Sequence, residues 1–232
     1  MNKKGYDIII PVFNEKNIIK LIGYILNNAK NFNFIYICYD SEEDITLEYF
    51  YNSKYRKFDY IKLLKNPYEG PCEAIKFGFS KSFSDAVIVY PADDFNNAVL
   101  LDKMFELKMQ GYDIVCPSRF VKGGKIQNCP IIKLTIVKVV SFILFYFSNL
   151  KIKDPTNGFR LFSRKVLNKY NIESTMGFAY SLELTIKSHL DNIKIIELPS
   201  IWIERVDKKS SFKILKWSKS YLRWFFKAIF SK

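Results

Sequence analysis

Cysteine is sparse in this chain, and the four present, Cys38, Cys72, Cys116 and Cys129, form no CxxC pair and have no histidine beside them. Neither a zinc site nor a disulfide framework is indicated, and reduced thiols in a cytosolic compartment fit better. Histidine is almost absent: His189 stands alone on a helix-like stretch, where packing or exposure is a better reading than catalysis. Glycine (9) and proline (8) are scarce while 49% of the 232 residues are hydrophobic and 17% aromatic, which excludes disordered and collagen-like chains. No apolar stretch precedes the first strand-like run, so no secretory signal is read. The longest apolar segment, Ile131 to Leu150, is interrupted by Lys133 and Lys138, and its uncharged part falls short of the roughly 20 residues that span a bilayer.

Acidic residues are also short in one half. Residues 1–116 carry 14 basic and 16 acidic side chains, a balance of −2, whereas residues 117–232 carry 22 and 7, a balance of +15. The whole formal excess of +13 therefore lies in the second half. A basic half can meet nucleic acid, anionic lipid or a phosphorylated substrate, and composition does not choose among them.

The first half alternates short β-rich runs with helix-like stretches. Strands are expected over 7–12, 34–39, 60–64, 86–90 and 113–116, with helices over 15–29, 72–83 and 100–110 between them. This rhythm, with apolar runs that suit burial on both faces, predicts an α/β fold with a mainly parallel sheet covered by helices. Ligands in such sheets bind beyond the carboxyl ends of the strands. There the sequence places Pro11 to Glu15, Asp40 to Asp44 and Pro91 to Asn96. Helix capping accounts for any one of these polar loops; three at equivalent strand ends favour a metal and nucleotide site.

The second half holds a basic loop, Ser118 to Gly124, then the apolar segment, a turn-rich loop from Asp154 to Arg160, a helix around Glu183, and strands over 193–199 and 201–203. Near the C-terminus, Lys213, Lys216, Lys219, Arg223 and Lys227 fall within about 120° of one helix face at 100° per residue. Leu215, Trp217, Leu222, Trp224, Phe225, Phe226 and Ile229 fill much of the rest. Such a helix suits the headgroup region of an anionic membrane; a core-packing helix with a solvated basic face is the competing reading. One catalytic domain over 1–205, including a helix over 131–150, followed by a basic amphipathic helix over 206–232, is the expected organisation.

Taken in order, Pro11-Val12-Phe13-Asn14-Glu15, Asp40 to Thr46, Gly70 to Phe79, Ala92-Asp93, Ser118-Arg119-Phe120 with Gly123-Gly124, Asp154 to Arg160 and Arg205 resemble family 2 glycosyltransferases, and most closely their dolichol-phosphate mannose synthase group. The resemblance runs over nearly the whole chain. It implies a GT-A fold, a nucleotide-diphosphate sugar donor and a divalent cation, Mg or Mn. It also implies that Pro11, Phe13, Glu15, Asp40, Gly70, Ala92 and Asp93 lie at the donor, and that Asp93 is the second carboxylate of the DxD metal motif. Pro91 stands where the first carboxylate belongs and Phe95 replaces a further metal-binding side chain. Asp94 or Asn96 is the candidate replacement, with helix capping the alternative for Asp94.

By the same resemblance, Arg119, Lys133 and Arg205 face the phosphate of a polyprenyl phosphate acceptor, and residues 131–150 form a helix at the membrane interface. The family's C-terminal glycine is missing from Arg205 to Ser211, and Lys208 or Lys209 is the expected substitute. Asp154 is expected to orient its loop near the acceptor through Arg160. Arg119, Arg205, Asp93 and Asp154 are thus the expected catalytic set. With the chain stopping at Lys232, attachment is expected to be peripheral, at the cytoplasmic face, through the two amphipathic helices or a membrane partner; a membrane subunit or a homo-oligomer is a further expected partner. A glycan acceptor and a catalytically inactive scaffold are the competing readings. Nucleic acid is not expected as a partner, because no RNA or DNA motif accompanies the basic residues.

Overall fold

Consecutive apolar residues of the first strands divide between two cores. In β1 (Tyr6–Pro11), Tyr6, Ile8 and Ile10 pack on one side of the sheet and Ile9 on the other. In β2 (Phe32–Tyr39) the same split separates Ile35, Ile37 and Tyr39 from Tyr36 and Cys38, and in β4 (Ala86–Val89) it separates Ala86 and Ile88 from Val87 and Val89. Side chains alternate across a strand, so an uninterrupted apolar run buries both faces. The computed structural model describes residues 4–148, 150–204 and 214–230, with the side chains of 214–218 left aside.

With β3 (Ile61–Lys65), β5 (Ile114–Ser118), β7 (Arg160–Ser163) and β8 (Ile195–Pro199), these strands form one sheet in the order β3-β2-β1-β4-β7-β5-β8. Every neighbouring pair is parallel except those of β7, which runs antiparallel to both β4 and β5. The mainly parallel sheet read from the sequence is present. A second, two-stranded parallel sheet pairs β6 (Lys125–Gln127) with β9 (Ile201–Ile203).

One face carries α1 (Ile18–Asn28), α2 (Ile45–Tyr51) and α4 (Leu101–Met109), through residues such as Leu21, Phe50 and Met104. The other carries α3 (Pro71–Lys81), α6 (Arg164–Lys169), α7 (Ala179–Leu190) and α8 (Ile214–Phe230), with one turn of α5 (Ile131–Phe147) through Leu144. Gly78 lets α3 approach the sheet: a Cβ there would sit 2.8 Å from Ile9 Cδ1. Gly70, at φ +97°, starts α3 in a backbone conformation that L side chains rarely adopt.

Four elements differ from expectation because they are short. The loop expected over 154–160 ends in β7, whose four residues are all buried, and α2, β6 and α6 are seven residues or fewer. Elements of that length present too few periods for a pattern to register. The expected helix over 15–29 begins at Ile18, since Glu15 belongs to the preceding loop.

The last helix departs from a wholly lipid-facing reading. Trp224 is only 1% exposed and, with Ala228, packs into the core beside α7, while its Nε1–H donates to Ser174 Oγ at 2.9 Å. Lys187 and Lys227 lie over its ring at 4.9 and 5.0 Å. Leu222, Phe226 and Phe230 remain exposed on an adjacent stripe. Lys213 and the side chains of Leu215, Lys216 and Trp217 lie outside the described residues.

Candidate functional site

The loops after β1, β2, β3 and β4 lie at one edge of the sheet, and polar side chains tie the first three together. The Asn14 N–H donates to Asp44 Oδ1 at 3.0 Å, the Ile45 N–H to Asn14 Oδ1 at 3.2 Å and the Glu15 N–H to Thr46 Oγ1 at 2.8 Å. Asp44 also caps α2 by accepting from the Thr46 N–H at 2.8 Å. Glu15 is buried, and its Oε1 accepts from the Asn17 N–H at 3.0 Å. Pro11 ends β1 half-buried, whereas Phe13 is 64% exposed above the edge.

Asp40 joins the next loop. Its Oδ1 accepts from Asn66 Nδ2 and its Oδ2 from the Gly70 N–H, both at 2.8 Å, so it holds the turn that opens α3. Asp40 and Gly70, both expected at the donor, are therefore in direct contact. Ala92 and Asp93 are half-buried on the loop after β4.

Asp94 is buried differently. Its Oδ1 accepts from the Asn96 and Asn97 N–H groups at 2.8 and 3.0 Å, and its Oδ2 from Asn97 Nδ2 at 2.6 Å. Burial raises its pKa against the opposing pull of these bonds. These bonds close a turn over 94–97, and helical residues begin only at Ala98, so the expected N-cap of a helix starting at Phe95 is not formed. Asn97 then spans outward: its Nδ2 donates to the Ile201 carbonyl at 2.7 Å and its Oδ1 accepts from the Ile201 N–H at 3.0 Å. The Asp93 loop is thereby fastened to β9.

Two ion pairs lie on the basic side. Arg119 grips Asp154 through its backbone N–H at 3.0 Å and through Nε and Nη2, both at 2.7 Å. Asp154 is fully buried and Arg119 partly so. Burial would lower the guanidinium's pKa, and the Asp154 carboxylate more than offsets it, leaving it raised. The expected Asp154 to Arg160 side-chain pair is corrected: Arg160 Nη2 donates to the Asp154 carbonyl at 3.0 Å, and Nη1 to the Ser181 carbonyl and to Thr185. Arg160 sits in β7 with its guanidinium engaged by the Asp154 carbonyl and by Ser181 and Thr185 of α7, while Arg119 holds the Asp154 carboxylate.

Lys133, on α5, donates to both oxygens of Glu204, at 2.7 and 2.9 Å. Trp202 Nε1 donates to Glu204 Oε2 at 2.9 Å. Burial pushes the Glu204 pKa up, but Lys133, Trp202 and the Arg119 charge together hold it below the ordinary value. Arg119, Lys133 and Glu204 thus share one electrostatic neighbourhood. Arg205, Lys208 and Lys209 lie outside the described residues.

Residues 7–170 match the description Glycosyl transferase family 2, well over half of the chain. The chain belongs to this family. Among curated relatives, the dolichol-phosphate mannosyltransferase of Pyrococcus furiosus is 29% identical over 213 residues, covering 89% of this chain and 58% of that protein. The polyprenol monophosphomannose synthase of Mycolicibacterium smegmatis is 25% identical over 153 residues, covering 61% of this chain and 57% of its own. The chain thus spans under two thirds of the length of either relative. Glucosyl-3-phosphoglycerate synthase of Mycobacterium tuberculosis, solved with Mn2+, UDP and glucosyl-3-phosphoglycerate, superimposes with a TM-score of 0.72 at 13% identity, covering 97% of this chain and 80% of that one. The fold of this family 2 chain is accordingly GT-A-like.

Sequence reasoning missed Asn66, Asn97, Glu197 and Glu204. Glu197 takes the Lys153 and Asp154 N–H groups at 2.8 and 2.9 Å and so holds the Asp154 loop. Each of the four acts across a long sequence separation, and only the position of Glu204 beside the motif residue Arg205 offered a signal.

Proposed function

We propose that this chain transfers a hexose, with inversion, from a nucleotide-diphosphate sugar of the GDP-mannose or UDP-glucose type to a polyprenyl phosphate at a membrane surface. The observation that carries the reading is the Asn97 bridge. It fastens the Asp93 loop to β9, which leads into the Arg119, Lys133 and Glu204 neighbourhood.

On the donor side, Asp40 and Asn66 hold the Gly70 turn while the latched 13–15 loop bounds the edge. Asp93 is the carboxylate for a divalent cation, Mg or Mn. Among the described residues no group of three or more His, Cys, Asp or Glu could hold an ion alone. One carboxylate fits a hard cation that draws its other ligands from the diphosphate and water. When bound, such a cation neutralises charge developing on the leaving diphosphate.

On the acceptor side, a phosphate monoester has a second pKa near ~6 and is largely dianionic at neutral pH, so its oxygen attacks the anomeric carbon without a general base. The bond to the diphosphate oxygen breaks as the new C–O bond forms, and the nucleoside diphosphate leaves. Arg119, Lys133 and Arg205 supply the positive charge that brings two anions together.

The lipid reading draws on α5 and α8. Ile131, Ile132, Phe142, Tyr146 and Phe147 of α5 and Phe226 and Phe230 of α8 are exposed, with Lys219, Arg223 and Lys227 exposed along α8. Among the described residues no helix is long and apolar enough to cross a membrane. A peripheral seat at the cytoplasmic face, on anionic lipid, fits this pattern.

The test incubates a panel of radiolabelled nucleotide sugars with polyprenyl phosphate in detergent. A chloroform-soluble, mild-acid-labile product dependent on Mg or Mn is expected, and Asp93→Ala should abolish it. Label found only in glycan would move the acceptor assignment. Failure of calorimetry to detect any nucleoside diphosphate with Mn would favour the scaffold reading that Pro91 raises.

A further inference from the structure

Of the three cations assigned to the acceptor phosphate, Arg119 and Lys133 are each already matched by a carboxylate, and the two matches are unlike. Asp154 is fully buried, meets the planar fork of Arg119 with both oxygens, and accepts the Arg119 backbone N–H as well. Its loop is held in turn by Glu197 and Arg160. That pair is part of the framework.

Glu204 is held by two groups, the Lys133 ammonium and the Trp202 indole N–H, and both side chains of the Lys133 pair keep some exposure, 21% for Lys133 and 13% for Glu204. A lysine ammonium is a compact charge on a flexible stem, with no planar fork to hold its partner. Each donor that holds the carboxylate suits a phosphate oxygen equally well. A phosphate dianion carries twice the charge, so it outcompetes a carboxylate at a cation, whereas a neutral hydroxyl does not. Arg119 keeps Asp154 as its partner, so displacement of Glu204 frees the Lys133 ammonium and the Trp202 N–H for the incoming dianion.

We infer that Glu204 occupies, on Lys133 and Trp202, the place of an acceptor-phosphate oxygen, and that the phosphate must displace it to bind. The inference rests on the phosphate-acceptor reading above. It adds that Glu204 neutralises the site before the acceptor arrives, with acceptor binding an exchange of anions on Lys133. An alternative role, in which Glu204 merely orients Lys133, predicts the opposite sign when the carboxylate is removed.

The test measures binding of a short, water-soluble isoprenyl phosphate, and of the matching isoprenol, by calorimetry on the full chain with nucleoside diphosphate and Mn present. Glu204→Gln keeps the size and removes the charge, and Glu204→Ala removes the group altogether. Both should bind the phosphate about tenfold tighter, the scale of one charge-assisted hydrogen bond no longer competed for. Nucleoside diphosphate binding, unchanged in both, reports that each variant is folded. The gain should disappear in a Lys133→Ala background. Phosphate binding equal to or weaker than wild type in the folded variants overturns the inference and leaves the acceptor assignment standing. Absence of phosphate binding in wild type and both variants overturns the acceptor assignment and this inference together.

Discussion

Replacing Asp154 by Asn tests whether the Arg119 pair is the framework element its burial implies. The wild-type carboxylate receives three hydrogen bonds, two on Oδ2 and one on Oδ1, with Asp154 at 0% and Arg119 at 13% side-chain exposure. An amide keeps one acceptor oxygen and turns an NH2 toward either Nε or Nη2, so a donor faces a donor. The guanidinium then loses its counter-charge inside the protein. Breaking a buried pair by removing one partner costs ~3–5 kcal/mol. In a chain of this size 1 kcal/mol moves Tm by ~2–4 °C, so a fall of ~6–20 °C is expected. Urea unfolding followed by circular dichroism gives the same quantity as a shifted midpoint at constant slope. The double variant Arg119→Met with Asp154→Leu should lose less than Asp154→Asn alone, because no charge is left unpaired. A loss under ~1 kcal/mol for Asp154→Asn would mean that the pair behaves like a solvated surface bridge, and the framework argument would fail.

Trp224→Ala should destabilise by ~3–5 kcal/mol, the usual cost of truncating a large buried aromatic, and should release α8 from α7, read as faster hydrogen exchange over 214–230. Asn97→Ala removes the Ile201 bridge and the one side-chain bond to Asp94, while the backbone N–H bond to Asp94 stays; the expected signature is a stability loss of ~1–3 kcal/mol with a raised KM for donor, and an unchanged KM would count against coupling of the Asp93 loop to β9. His189 is the single histidine, and burial depresses its pKa below 6.5, with Lys151 acting the same way against a backbone hydrogen bond at Ser148. The unfolded chain therefore binds the proton first, so stability should fall as pH drops from about 6.5 through the depressed value, and His189→Gln should flatten that step. Titration of the lone imidazole signal by NMR checks the sign, since a midpoint at or above 6.5 refutes it.

How far the sequence could be read depended on range. Unbroken apolar runs such as Ile8-Ile9-Ile10 and Ala86-Val87-Ile88-Val89 can only be satisfied by burial on both faces, so the layered α/β architecture was legible from local pattern. The motif loops at strand ends were legible for the same reason, because strand polarity puts them on one edge. β7 was not, since four residues led by a buried arginine carry no period and owe their strand to pairing with β4 and β5.

Composition and order by themselves determined the family, the mainly parallel sheet and the division between a near-neutral first half and a strongly basic second half. Which charges face one another was decided only in three dimensions. Asp154 and Arg119 are 35 residues apart, Lys133 and Glu204 are 71, and Asn97 and Ile201 are 104. Pairing over such separations depends on how layers stack, a property no window of sequence contains. The same holds for α8, whose amphipathic pattern allowed lipid on its whole apolar arc until the core took Trp224 and left Leu222, Phe226 and Phe230 outside.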